Sequence, residues 1–142
     1  METALKEQLW SYIAIHNPDL MFDLQEAYKV SDYLEEKITG IMREVEQLLD
    51  NGLPAVTVQE ICLEKLTEEL KPSKFQYIRE IFEQEFPTAF QAMRECGMLN
   101  YEVINMVQTC QGIFDHFGFR EHMLGDQRMR NAVIGEISFY LS

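Results

Sequence analysis

Apolar positions recur along most of the chain at alternating steps of three and four, the spacing of one face of an α-helix. The clearest example lies between Ser31 and the pair Asn51-Gly52. These residues predict a helix of about five turns between them. Acidic residues lie mostly off its apolar face. That face is formed by Leu34, Ile38, Ile41, Val45 and Leu48.

Residues that cap or stop helices divide the rest of the chain into similar segments. Side-chain oxygens cap the first turn of a helix, and proline fits its first position. No alternating segment is long enough to predict a strand. We therefore expect an all-α fold, a single compact domain over residues 1–142 with about seven or eight helices. The predicted helices begin at or beside Thr3, Pro18, Ser31, Thr57, Ser73, Pro87, Asn100 and Asp126.

Composition limits the class of protein. The 142 residues are 46% hydrophobic, which is enough for a globular core that needs no disulfide or metal to stabilise it. The longest apolar runs are only a few residues, too short to span a bilayer, so we predict no transmembrane helix and no membrane partner. The segment Met1 to Lys6 has neither a basic leader nor an apolar secretory segment. The three cysteines Cys62, Cys96 and Cys110 match no metal or redox spacing. Reduced thiols in a cytoplasmic protein are the simplest interpretation.

Charge is the strongest global signal. The chain carries 24 Asp and Glu against 12 Lys and Arg, a formal net charge of -12. Residues 1–70 hold 15 acids and 5 bases, whereas residues 71–142 hold 9 acids and 7 bases. The acidic character therefore belongs to the N-terminal half, where it favours basic partners over acidic ones.

The acids of that half follow helical spacing. Four of them lie off the apolar face of the Ser31 helix, and three more repeat every four residues along the next helix. Such a row can be a solubilising face, a surface for a basic partner, or a mimic of DNA phosphates. We predict a non-catalytic protein that binds a basic protein partner through Glu35, Glu36, Glu46, Asp50, Glu60, Glu64 and Glu68.

A second hypothesis is a DNA-associated accessory protein. It needs six bases of the C-terminal half to converge on one face, and no reading helix or interleaved aromatic residue accompanies them. A pI near 4.6 opposes general DNA binding, because neutralising the backbone supplies most of that affinity. The six bases are Lys71, Lys74, Arg79, Arg120, Arg128 and Arg130.

A third hypothesis is an enzyme or metal protein built around His116 and His122. These histidines straddle a predicted helix end at Gly118, so only the fold can bring both of them into one pocket with Asp115 or Cys110. Signatures of di-iron, zincin, EF-hand and serine-hydrolase sites are missing. We therefore assign no catalytic residue, no metal ligand and no cofactor.

Eight short runs together resemble a family of small uncharacterised proteins from Bacteroidetes, and the resemblance covers essentially the whole chain. It implies a bacterial cytoplasmic protein carried on conjugative elements and encoded near DNA-processing proteins. It carries over no functional residue. The runs are Ala4 to Tyr12, His16 to Leu20, Ala27-Tyr28, Glu35-Glu36-Lys37, Glu60 to Leu63, Tyr77-Ile78-Arg79, Glu85-Phe86-Pro87 and Tyr140-Leu141-Ser142.

Overall fold

The computed structural model describes residues 1–142, and all of its regular structure is helical. It has nine α-helices and two 3-10 turns, Glu68–Leu70 and Glu121–Met123, and no strand. The all-α prediction is confirmed. The helices are α1 (Glu2–His16), α2 (Pro18–Glu26), α3 (Val30–Asp50), α4 (Ala55–Thr67), α5 (Lys74–Glu85), α6 (Pro87–Glu95), α7 (Leu99–Thr109), α8 (Gln111–Phe117) and α9 (Gln127–Leu141).

The predicted number of helices, seven or eight, was too low by at least one. The helix expected to run to Gly118 is divided at Cys110, which ends α7 with a ψ of 0°. Just before the break, the Thr109 hydroxyl donates to the carbonyl of Asn105 at 2.8 Å. This bond competes with the helical ladder and bends helices. Gly112, a poor helix former, follows at once.

Two predicted caps are confirmed by their hydrogen bonds. Ser73 Oγ accepts from the backbone N–H of Gln76 at 3.1 Å and starts α5. Asp126 Oδ1 accepts from the N–H of Met129 at 2.9 Å and starts α9. Pro18 is the first residue of α2, as predicted, because a first-turn amide has no helical partner to lose.

Four other predicted starts, Thr3, Ser31, Thr57 and Asn100, lie inside helices that begin earlier. In each case the carbonyl of a residue before the predicted start accepts a helical bond, so the helix begins before the expected cap. These four residues therefore start no helix, which corrects the sequence prediction. The accepting carbonyls belong to Met1, Lys29, Pro54 and Met98, and the donors are Leu5, Tyr33, Val58 and Glu102, at 3.0, 2.9, 3.0 and 3.0 Å.

The chain divides into two compact units, residues 1–71 and 72–142, which we call the N-terminal and C-terminal units. The prediction of a single domain stays a prediction. In the N-terminal unit α1, α3 and α4 pack on one another, and α2 packs on α1 and α3. The core takes three residues from each main helix: Leu5, Leu9, Ile13, Ile38, Ile41, Val45, Val58, Cys62 and Leu66.

In the C-terminal unit α5 packs on α6, α7 and α9, and α8 packs on α9. Its core is richer in aromatic side chains, and the rings of Phe82 and Phe90 meet edge to face at 5.7 Å. Cys110 and Phe114 are buried in the same core, just after the break between α7 and α8.

Candidate functional site

Six of the seven carboxylates predicted to bind a partner are exposed and form no ion pair. Three lie on α3, and three follow at steps of four from α4 into the Glu68–Leu70 turn. Both helices bury their opposite sides in the core, so these carboxylates face solvent. We call them the acidic set: Glu36, Glu46, Asp50, Glu60, Glu64 and Glu68.

Glu35, the seventh carboxylate, already has a partner inside the unit. Its Oε2 lies 2.5 Å from Nζ of Lys6, and the pair joins α3 to α1. Arg43 also lies exposed on α3 and forms no ion pair, so it is one base among the acids of that helix. The acidic set is thus neutralised neither by Lys6 nor by Arg43.

Two further lysines form ion pairs with glutamates outside the acidic set. Lys37 Nζ lies 2.5 Å from Oε1 of Glu69, and Lys65 Nζ lies 2.5 Å from Oε2 of Glu44. These hydrogen bonds raise the pKa values of both lysines. Both pairs cross between α3 and the segment formed by α4 and its 3-10 turn. The lysines therefore hold the helices together and leave the acidic set unpaired.

Lys37, Glu69 and Lys65 from these pairs line a groove of about 540 Å³ between α3 and α4. Gly40 lies on its α3 wall, and Leu66 and Glu68 on the opposite wall. Sequence analysis missed this groove, because its paired charges lie far apart along the chain. One local signal was present: Gly40 interrupts an otherwise strong helix and weakens it relative to alanine.

Tyr28 is an exposed aromatic residue that the sequence analysis also missed. It is 94% exposed, and its φ of 56° is the one positive φ outside glycine. It occupies the left-handed position after α2: its N–H donates to Gln25, and the N–H of Lys29 donates to Leu24. Gly52 holds the matching position after α3. Glycine normally fills this position. The absence of a glycine after α2 was therefore the sign in the sequence that another residue takes the left-handed conformation there.

The six predicted bases are not part of one unit. Lys71 ends the N-terminal unit, and the other five lie in the C-terminal unit. Four bases pack over aromatic rings, which the sequence did not indicate. Their distances to the ring centroids are 5.9 Å for Lys71 over Tyr12, 5.6 Å for Lys74 over Phe114, 5.2 Å for Arg79 over Phe90 and 5.9 Å for Arg128 over Phe117.

The remaining two bases differ from each other. Arg130 lies 3.0 Å from Oε1 of Glu85, whereas Arg120 is exposed and forms no ion pair. Arg128, besides its ring contact, has a longer ion pair of 3.7 Å with Asp126. Each of these bases except Arg120 therefore contacts a different aromatic ring or carboxylate. A shared DNA-binding patch stays a prediction.

The residues of the enzyme or metal hypothesis occupy different environments. His116 and His122 are exposed, and the His116 ring meets the Phe117 ring at right angles, 5.0 Å away. Asp115 accepts a hydrogen bond from Gln111 at 2.9 Å. Cys110 is fully buried in the core, and burial raises the pKa of its thiol to about 12. A site that joins these residues stays a prediction.

No three His, Cys, Asp or Glu side chains form a group suited to holding a metal ion. All three cysteines are free; Cys62 and Cys110 are buried, and Cys96 is exposed. No helix combines the length and the apolar character needed to cross a membrane.

Comparison with known proteins gives no relative for this fold. No family model, no curated protein and no solved structure matches the chain.

Proposed function

We propose that this protein is a non-catalytic interaction protein that binds a basic protein partner through the acidic set. The observation that carries the proposal is the separation of two roles among its carboxylates. Glu35, Glu44 and Glu69 are joined to lysines between helices, while the acidic set is exposed and unpaired. Free carboxylates of one sign attract a cationic surface and speed its approach.

The spacing of the acids along α4 supports the same conclusion. Glu60, Glu64 and Glu68 stand four residues apart, so neighbouring carboxylates repel each other along the helix. Each like-charge pair destabilises a helix by about 0.2–0.5 kcal/mol. A partner that brings lysine or arginine side chains to this row removes the repulsion on binding.

Tyr28 adds an aromatic contact in the same unit. Its ring is almost fully exposed on a residue held in an unfavourable backbone conformation. Exposed tyrosines contribute strongly to protein interfaces and also attract the cations of arginine and lysine. We include Tyr28 in the proposed interface for this reason.

A matched pair of triple variants tests the acidic row. The test variant carries Glu60→Gln, Glu64→Gln and Glu68→Gln; the control carries Glu83→Gln, Glu95→Gln and Glu121→Gln, three exposed acids of the C-terminal unit. Both variants change the net charge equally. Binding to an arginine-rich peptide is measured by isothermal titration calorimetry.

The test variant should bind about tenfold more weakly than the wild type, at roughly 0.5 kcal/mol for each surface ion pair lost. The control should bind nearly as well as the wild type. Wild-type affinity should fall between about 0.1 M and 1 M salt, as the screening length drops from about 10 Å to about 3 Å. Equal losses in both variants would mean that net charge alone attracts the peptide, and the proposed surface would be abandoned.

We further propose that the partner belongs to the DNA-handling machinery of a mobile element in a bacterial cytoplasm. The resemblance to conjugative-element proteins supports this placement, and three free cysteines accord with a reducing compartment. In this proposal the partner contacts DNA, and this protein is linked to DNA only through the partner. Affinity capture with the wild type and the Glu60, Glu64 and Glu68 triple variant, followed by mass spectrometry, tests it: the partner must be basic and must be lost with the variant.

A further inference from the structure

The groove of about 540 Å³ in the N-terminal unit follows the line along which α3 and α4 pack. Two ion pairs join the helices along this line. Lys37 on α3 pairs with Glu69 at 2.5 Å, and Lys65 on α4 pairs with Glu44 at 2.5 Å. At 1.5 Å per residue, Lys37 and Glu44 stand about 10 Å apart along the axis of α3. The groove therefore lies beside two fixed contacts that are about two helical turns apart.

Gly40 lies between these two contacts and lines the groove. A methyl group added at Gly40 meets no atom within 4 Å, so packing does not require a glycine at this position. Glycine also weakens the interior of a helix relative to alanine. Ile41 and Leu66 line the same groove and are 7% exposed each, so carbon atoms form its floor. The missing side chain of Gly40 thus leaves open space beside an aliphatic floor.

Glu68 is the one carboxylate lining the groove that forms no ion pair, and it is exposed. The charges of Lys37 and Lys65 are each matched by a glutamate at 2.5 Å. The hydrogen bond to Glu44 raises the pKa of Lys65, and the charge of Glu68 adds to the rise. The charge of Glu68 therefore acts across the groove and leaves it with a net negative charge.

An arginine side chain matches both the charge and the floor of this groove. A guanidinium binds the two oxygens of a carboxylate through parallel N–H bonds, and its methylene stem packs on carbon atoms. A lysine ammonium is more strongly hydrated and cannot make this pair of bonds. Gly40 and Glu68 are exposed, so the groove is open to a side chain carried by another protein. At equal charge, the groove therefore favours arginine over lysine.

We propose that the groove between α3 and α4 binds an arginine side chain of the basic partner. The guanidinium binds the carboxylate of Glu68, and the stem passes over Gly40 onto Ile41 and Leu66. This inference rests on the proposed function, because Glu68 belongs to the acidic set. It adds that the partner is recognised through an arginine at one defined place as well as through its charge.

Filling the groove tests whether its open space is used. Gly40→Leu adds a side chain where there is room and a better helix former, so its urea midpoint should equal or exceed that of the wild type. Thr39→Leu is the matched control, because Thr39 is the exposed neighbour on α3 and does not line the groove. Calorimetric titration of the full chain uses an arginine-rich peptide and a lysine-rich peptide of the same length and charge.

Gly40→Leu should lower the affinity for the arginine-rich peptide about fivefold, the upper end for an exposed ion pair. Its affinity for the lysine-rich peptide should equal that of the wild type. Thr39→Leu should change neither affinity. Unchanged affinity for the arginine-rich peptide in a folded Gly40→Leu variant would overturn the arginine site.

A second pair of variants tests the carboxylate while the groove stays open. Glu68→Gln should lower the affinity for the arginine-rich peptide about fivefold and for the lysine-rich peptide about twofold. Glu64→Gln is the control, because Glu64 is the preceding exposed acid of the row and does not line the groove. It should lower both affinities about twofold. Should Gly40→Leu fail to fold, this comparison decides alone.

The two peptides separate failure of this inference from failure of the proposed function. If Glu68→Gln weakened both peptides equally, as Glu64→Gln does, the row would act through charge alone. The arginine site would then be rejected, and the proposed function would stand. If the wild type bound neither peptide, both proposals would be rejected.

Discussion

The ammonium nitrogen of Lys37 on α3 lies 2.5 Å from Oε1 of Glu69 in the turn after α4. The same nitrogen stands 5.6 Å from the centre of the Tyr33 ring. The hydrogen bond to Glu69 raises the pKa of Lys37, whereas partial burial opposes the rise. This pair thus fixes α3 against the end of α4, at the edge of the groove between them.

Glu69→Gln should lower the free energy of unfolding by less than about 1 kcal/mol, because both side chains are partly exposed to solvent. A lysine whose pKa is raised by folding stabilises the fold below its unfolded pKa and loses that effect as the pH rises through the folded value. The difference between wild type and variant should therefore persist at neutral pH and disappear in strong alkali. Urea unfolding followed by the fluorescence of Trp10, the single tryptophan, measures it in the N-terminal unit.

Glu68→Gln is the control for this pair, because Glu68 is adjacent, exposed and not in an ion pair. It should leave stability unchanged or raise it slightly, since it relieves repulsion from Glu64. A loss equal to that of Glu69→Gln would show that the Lys37 pair contributes nothing specific.

Tyr28→Gly should raise the free energy of unfolding by roughly 0.5–1 kcal/mol. Releasing a left-handed backbone stabilises by about 1–2 kcal/mol, and part of this is offset by the greater freedom of glycine in the unfolded chain. Trp10 fluorescence during urea unfolding again measures it. If Tyr28 contacts the partner, the same variant should bind the arginine-rich peptide more weakly. A variant that is less stable than the wild type would contradict the strain argument.

Two glycine-to-alanine substitutions should change stability in opposite directions. Gly40 lies within α3 and Gly52 just after it, and a methyl group added at either meets no atom within 4 Å. Gly40→Ala should stabilise by about 0.5–1 kcal/mol through helix propensity. Gly52→Ala should destabilise by about 1 kcal/mol, because its φ is 86°. Urea midpoints of the two variants give the comparison, and changes of the same sign would refute it.

Thiol labelling should separate the three cysteines by burial. Cys96 is exposed and should react with Ellman's reagent in the native protein, whereas Cys62 and Cys110 should react only after unfolding. Burial also raises the pKa of Cys110 to about 12, so its reactive thiolate is scarce in the native state. The Cys96→Ser variant should show no fast phase. A second fast thiol in the native wild type would contradict the described core.

The parts of the fold that sequence analysis predicted correctly depend on residues close together along the chain. Ser73 and Asp126 each cap an amide three residues later, so both partners of the bond are visible in one short segment. Thr57 has the same spacing to Glu60 but lies inside α4, because the carbonyl of Pro54 closes an earlier turn. Local spacing thus identifies a possible cap without excluding a competing start nearby.

The sequence by itself determined the helical class, the stripes that enter the cores and the exposure of Glu60, Glu64 and Glu68. These follow from a repeat of 3.6 residues, which fixes the side of a helix on which each residue lies. Only the tertiary structure decided that Glu35 pairs with Lys6, since the two residues are 29 positions apart in the sequence. It likewise decided that the Tyr77 hydroxyl lies buried without a hydrogen-bond partner in the protein. Contacts between helices depend on how their sides pack, and that information is absent from the spacing within any one helix.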